Sequence, residues 1–396
     1  MTDATDAGLQ EHLLSAADAR LRRVVAVVDA LPARGDADAL IAPLRPRLAR
    51  LRPPRPLTLT RLLFAPVEPL IVPSASWQIG SPGIPRSALA ALGGDLCAAL
   101  GEAADPLRAR CAGRSMEDEA VVAECGAPLW AEAAKLLPGR LPPADWTSAT
   151  GLPPAAHRAL VVPLGVLLGE GVPLHKLPTL AGQTALAEAE RLLRQAGARG
   201  GAALTMMLAL LLRRLPRAQR LLQLADGIGE AGGAGQASDR VMAFLLGDLR
   251  GAVASDAALP EAADQVRRSA RLLEELEAAA GAAERPSRMQ MVRAARQDLS
   301  AMCRDRMAAA AESLAVAAEM AAEAADLAAM EDTARALRLL DAVGRRLGEA
   351  EVYDRVLSGT AGRLTAGTLL APNARLRLAE ILLGPDAALA LVEGGP

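Results

Sequence analysis

The chain has 396 residues, 52% of them apolar and 23% charged, with a formal net charge of −2. That length suits two or three domains or one extended helical array, and it buries a core without help from disulfides or metal. The near-neutral balance excludes a general electrostatic pull toward nucleic acid or an anionic membrane.

Aromatic residues make up only 2% of the chain, as Phe64, Trp77, Trp130, Trp146, Phe244 and Tyr353. The core must therefore be built from Leu, Ala, Val and Met. Ala and Leu favour helix, and the residues that favour strands are scarce, so the expected fold is all-α and multi-helical. Lysine occurs only at Lys135 and Lys176, and the remaining basic residues are Arg. With abundant Ala, Gly and Pro, this bias fits a GC-rich genome.

The opening MTDATDAGLQEHLL has no basic segment followed by an apolar run. A secretory leader is not expected, and the cytoplasm is the expected compartment. Apolar spacing predicts a first helix over Ala4–Leu31 and a second over Asp36–Leu51, shortened by Pro43 and Pro46. Arg20, Arg22, Arg23, Arg34, Arg45, Arg47, Arg50, Arg52, Arg55 and Arg61 make this region basic. Rings for base stacking are nearly absent there, so a partner-facing surface is expected rather than nucleic acid.

Residues 52–85 are rich in proline and carry both Phe64 and Trp77. One short helix is predicted over Thr58–Ala65, with Leu70–Val72 and Trp77–Ile79 extended. Such a segment serves either recognition or ordered packing. Arg55, Arg61, Phe64 and Trp77 are its candidate partner-binding residues.

Helices are predicted over Arg86–Leu100, Asp105–Cys111, Ser115–Leu137, Pro153–Glu170, Thr179–Ala196, Gly201–Leu212 and Pro216–Ala225. Asp105 before Pro106 reads as an N-cap, and Ser115 with Asp118 reads as a capping box. The Gly-rich stretch 227–237 is the expected linker between an N-terminal lobe, 1–226, and a C-terminal lobe, 238–396. Beyond it, helices are predicted over Ser238–Ala254, Pro260–Ala280, Pro286–Met330, Glu331–Leu347, Glu349–Leu357, Asn373–Leu383 and Pro385–Val392. Their lengths and faces suit antiparallel packing, in an array of irregular α-solenoid type without a fixed period.

Gly227-Ile228-Gly229-Glu230-Ala231-Gly232 matches the dinucleotide-loop pattern but follows a helical segment rather than a strand. His12, His157 and His175 lie far apart, without metal-ligand spacing. Glu117, Asp118 and Glu119, and Glu331 with Asp332, are placed at helix starts, where acids complement the dipole. Cys97, Cys111 and Cys125 recur every 14 residues, close to four helical turns. With Cys303 they are expected as buried reduced thiols.

No catalytic constellation and no cofactor or metal motif emerges. The expected function is a helical scaffold or adaptor binding protein partners, with self-association through the long C-terminal helices. The alternative is a helical ligand-binding protein or enzyme with an interior pocket lined by helices 159–169 and 201–212, near His157 or His175.

Overall fold

The computed structural model describes residues 56–231, 236–253, 259–282, 285–320, 324–348, 350–366 and 370–393. The predicted helices Ala4–Leu31 and Asp36–Leu51, and the basic residues up to Arg55, lie outside them. The fold is all-α, as the composition predicts.

The helices in chain order are α1 Leu59–Phe64, α2 Ala88–Leu100, α3 Ala104–Cys111, α4 Glu119–Leu136, α5 Trp146–Thr150, α6 Pro154–Gly169 and α7 Gly171–Lys176. Next come α8 Gly182–Ala198, α9 Gly201–Arg214, α10 Ala218–Ala231, α11 Ala237–Val253, α12 Leu259–Ala282 and α13 Pro286–Met320. The chain ends with α14 Ala324–Leu347, α15 Ala350–Ala366, α16 Pro372–Leu383 and α17 Pro385–Glu393. Contacts divide the described residues into a smaller unit, 56–62 with 103–125, and a larger one, 63–102 with 126–393.

In the smaller unit, Pro56 bridges Ser115 in antiparallel fashion, and the Leu57 amide donates to the Arg114 carbonyl at 2.8 Å. Thr58 caps α1 by accepting the Arg61 amide at 3.2 Å. The Asp118 carboxylate accepts the Ser115 amide at 3.0 Å, but α4 begins only at Glu119, so Ser115 does not cap it as the sequence suggests. The cap expected at Asp105 moves instead to Ala103, and Asp105 pairs with Arg108 within α3.

In the larger unit, α9 is buried on all sides from Ala203 to Leu212. A helix apolar all round can be stable only in such a position. It packs on α6, on the 3-10 segment Ala65–Leu70, and on α8, α10 and α11. No single helix among the described residues is long and apolar enough to cross a membrane. Helix α6 and its continuation Gly171–Thr179 are apolar and bent by 74°. They supply core residues, including Leu160, Leu164, Leu167 and Leu174.

From α8 onward each helix packs on the next and on the one after. The even-numbered helices α8 to α16 therefore form one layer and the odd-numbered helices α9 to α17 the other. Arg296, early in α13, donates to the Arg346 carbonyl, late in α14, so these neighbours run antiparallel. Helix lengths range from 9 residues in α17 to 35 in α13, which makes the array irregular.

Several boundaries depart from the sequence-based expectation. The predicted helix Pro286–Met330 is two helices, α13 and α14, separated by residues 321–323. The run AAEMAAEAADLAAM has no Pro or Gly, so nothing local marks that break. Glu331 and Asp332 consequently lie inside α14, where both pair with Arg335. Helix α10 continues to Ala231, so Gly227 and Gly229 stand in a helix rather than in the expected linker. Helix α15 continues to Ala366, nine residues past the predicted Leu357.

Candidate functional site

The proline-rich segment is the first region to place. After α1 it continues as a 3-10 turn, Ala65–Leu70, and then as strand β1, Ile71–Val72. Strand β2, Ile84–Pro85, pairs with β1 in parallel, with Ile71 opposite Ile84. Of the predicted extended residues 77–79, Trp77 is extended and Ile79 lies in a turn.

Of the candidate partner-binding residues, Arg61 is exposed and donates to the Pro56 carbonyl at 2.8 Å. Arg55 lies outside the described residues. Phe64 and Trp77 are buried, at 3% and 7% exposure. The Trp77 indole N–H donates to the Gly83 carbonyl at 2.8 Å. Both rings therefore belong to the core rather than to a contact surface. Val67, Leu70, Val72 and Ile84 are buried beside them in sequence, which makes the segment ordered packing.

Two arginines at the end of α9 hold that packing in place. Arg213 donates to the Pro69 carbonyl at 2.6 Å and pairs with Asp248 at 2.8 Å. Its guanidinium lies 5.0 Å from the centre of the Phe244 ring. Arg214 donates to the carbonyls of Pro66, at 2.7 Å, and Leu174. Burial pulls the Arg214 guanidinium down to about 10, partly offset by Glu68, so it is charged at neutral pH. Proline-rich chain has few backbone donors, so its carbonyls need outside partners, and these arginines supply them.

The second region surrounds His157, on the first turn of α6. His157 is fully buried, and neither ring nitrogen has a hydrogen-bond partner. Its ring meets Trp146 edge to face, 4.9 Å between centres. Trp146 is fixed by donating its indole N–H to the Pro153 carbonyl at 3.2 Å. Gly151, with φ +72°, ends α5 in the left-handed region and turns the chain into α6.

Asp95 of α2 and Arg140 form a two-pronged ion pair, one arm of which is 2.9 Å from Nε to carboxylate. Desolvation lowers the His157 pKa, Asp95 works against that shift, and Arg140 adds to it. The imidazole is therefore neutral at physiological pH, with one donor and one acceptor nitrogen. Sealed from solvent, it has no route to act on a dissolved substrate as it stands.

His175 lies in α7, with its ring 5.4 Å from that of Trp130. His12 lies outside the described residues. Among the described residues, no three His, Cys, Asp or Glu side chains gather to hold a metal. A further polar cluster went unseen in the sequence. Arg288 of α13, 1% exposed, forks onto Asp226 of α10 at 2.7 Å and reaches Asp239 of α11 at 2.5 Å. Only its position at a helix start, in SRMQM, could have drawn notice.

Compared with models of protein families, with curated proteins and with solved structures, the chain matches none.

Proposed function

We propose that the chain is a cytoplasmic helical scaffold or adaptor that binds protein partners. The observation that carries this reading is the contact order of α8 to α17, each helix packed on the next two. Arrays of that kind bury a continuous core between layers and leave long helix faces for partners. Exposed arginines such as Arg240 and Arg293 on one layer, and Arg268 and Arg346 on the other, offer charge for recognition.

The test is affinity capture on the immobilised full-length chain from extract of the cells that make it. The outcome expected is a stoichiometric protein partner, lost on charge reversal of Arg240 and Arg293 or of Arg268 and Arg346, at unchanged Tm. Self-association through α13 would instead double the mass in light scattering and respond to the same variants. If neither variant pair alters any protein bound, and no doubling is seen, the reading fails.

His157 favours a second reading, a helical protein with an interior ligand site. A buried imidazole with both nitrogens unpaired is a place where a small polar molecule gains two hydrogen bonds at once. A small-molecule thermal-shift screen, compared with His157→Leu, tests it; no compound whose shift depends on His157 would refute it.

A further inference from the structure

Helix α5 forms a cover one helix thick. Its outer residues, Thr147, Ser148 and Ala149, are exposed, while Trp146 and Thr150 are buried beneath them. The Trp146 ring rests edge to face on the fully buried His157 ring, 4.9 Å between centres.

The hydrogen bonds of this corner are local. The Ala149 amide donates to the Asp145 carbonyl and the Gly151 amide to the Thr147 carbonyl, both at 2.9 Å. The Thr150 hydroxyl donates to the Trp146 carbonyl at 2.7 Å and accepts the Leu152 amide at 3.1 Å. The Trp146 indole reaches no further than Pro153. Among the described residues none of these bonds leaves 143–153, so packing alone holds the corner to the rest of the fold. A helix of five residues is too short to be stable by itself. The floor beneath it is firmer. His157 stands in the 16-residue α6, which packs on the buried α9.

Few charges surround the imidazole. Helix α5 carries none and is preceded by the exposed Asp145, and α9 carries only Arg213 and Arg214 at its end. The segment Ala65–Leu70 brings Glu68, and α6 itself brings the exposed Arg158. The charges that act on His157 are Asp95, which favours a proton there, and Arg140, which opposes it.

A proton on His157 would make donors of both ring nitrogens, and neither has a partner. Asp95 is already held by the fork of Arg140. A ring face attracts a cation more weakly than water or a carboxylate accepts its N–H. Water therefore relieves the charge best, and α5 is the element that admits it without breaking a bond to the rest of the fold.

We propose that α5 is an acid-responsive lid: a proton on His157 opens residues 145–152 while the rest of the chain keeps its fold. Burial lowers the proton affinity of the closed form, whereas the open form binds a proton as an exposed histidine does. Opening is therefore disfavoured above about pH 6.5 and grows as pH falls through that value. Its ceiling at pH 5 is about 30-fold, the ratio for a ring that titrates at 6.5 when open and takes no proton when closed. The open lid gives dissolved molecules the route to His157 that the closed form denies.

The experiment is amide hydrogen exchange of the full-length chain at pH 7.5 and pH 5, read by mass spectrometry. Rates are converted to protection factors, which cancels the intrinsic pH dependence of exchange. Protection over residues 145–152 should fall roughly tenfold between the two, while α9 keeps its own. In His157→Leu and His157→Asn, whose side chains take no proton, the fall should vanish. Unchanged protection over 145–152 at pH 5 overturns the proposal, as when Asp95 turns from Arg140 to take the imidazolium. So does loss of protection in α9 in step with α5, which is unfolding of the whole, or a fall that persists in both variants.

Discussion

Arg214 reaches back 148 residues along the chain to donate to the carbonyl oxygen of Pro66 at 2.7 Å. The same guanidinium also serves Leu174, and its neighbour Arg213 serves Pro69. The end of one buried helix thereby supplies donors to a segment that cannot close its own hydrogen bonds.

Arg214→Met should therefore cost about 2–4 kcal/mol, since two part-buried carbonyls lose their charged donor. Urea unfolding of the full chain measures it. Arg214→Lys should recover only part of the loss, because one ammonium lacks the planar fork that reaches two carbonyls. A lysine variant as stable as the parent would refute this role.

His157→Leu should be neutral or stabilising, unlike most substitutions at a fully buried position. Both imidazole nitrogens lack partners, and an apolar side chain removes that cost. The pH dependence follows from the lowered pKa. The unfolded chain takes up the proton first, so the parent loses stability as pH falls through about 6.5. Thermal melts between pH 8 and pH 5 should show that slope in the parent and a shallower one in His157→Leu.

Arg288→Met should cost about 3–5 kcal/mol by taking the two-pronged partner from the half-buried Asp226, which keeps only Arg285 at 3.7 Å. Burial would raise the Asp226 carboxyl, but the hydrogen bonds and charge of Arg288, with the Arg285 charge 3.7 Å away, hold it below the ordinary value. Its contribution is therefore complete above the unfolded value of 3.8 and disappears as pH falls below it. Acid titration of the parent against Arg288→Met should show that the variant has lost this part of the acid sensitivity.

Two glycines should respond in opposite directions. A Cβ on Gly344 would come within 2.2 Å of the Tyr353 ring, so Gly344→Ala should cost about 1–3 kcal/mol. A Cβ on Gly227 would meet nothing within 4 Å, and the residue stands in the exposed face of α10. Gly227→Ala should add about 0.5–1 kcal/mol. Destabilisation by Gly227→Ala would contradict the helix and reopen the loop expected there.

The helical class was legible because Ala and Leu dominate and strand formers are scarce. The breaks were legible only where chemistry marks them. The Pro-rich segment stood out as non-helical, while the end of α13 inside an alanine run did not. Partnerships at long range left no trace in local sequence. Nothing near Phe64 or Trp77 shows that Arg213 and Arg214 anchor their segment, so recognition and packing looked equally good. The 14-residue spacing of Cys111 and Cys125 matched four turns of one helix, yet the residues stand in two helices, α3 and α4. His157 was visible as a residue of an apolar helix, but its missing partners depend on α2, α5 and residue 140.

The two-layer order of α8 to α17 also bears on how the chain comes apart. Among the described residues, a helix in the middle of the array packs on helices both before and after it, whereas α17 packs chiefly on α15 and α16. Loss of order should begin at α17 and travel inward, hairpin by hairpin, as a seam opens from its last stitch. Amide exchange would record it as protection rising stepwise from α17 back to the enclosed α9.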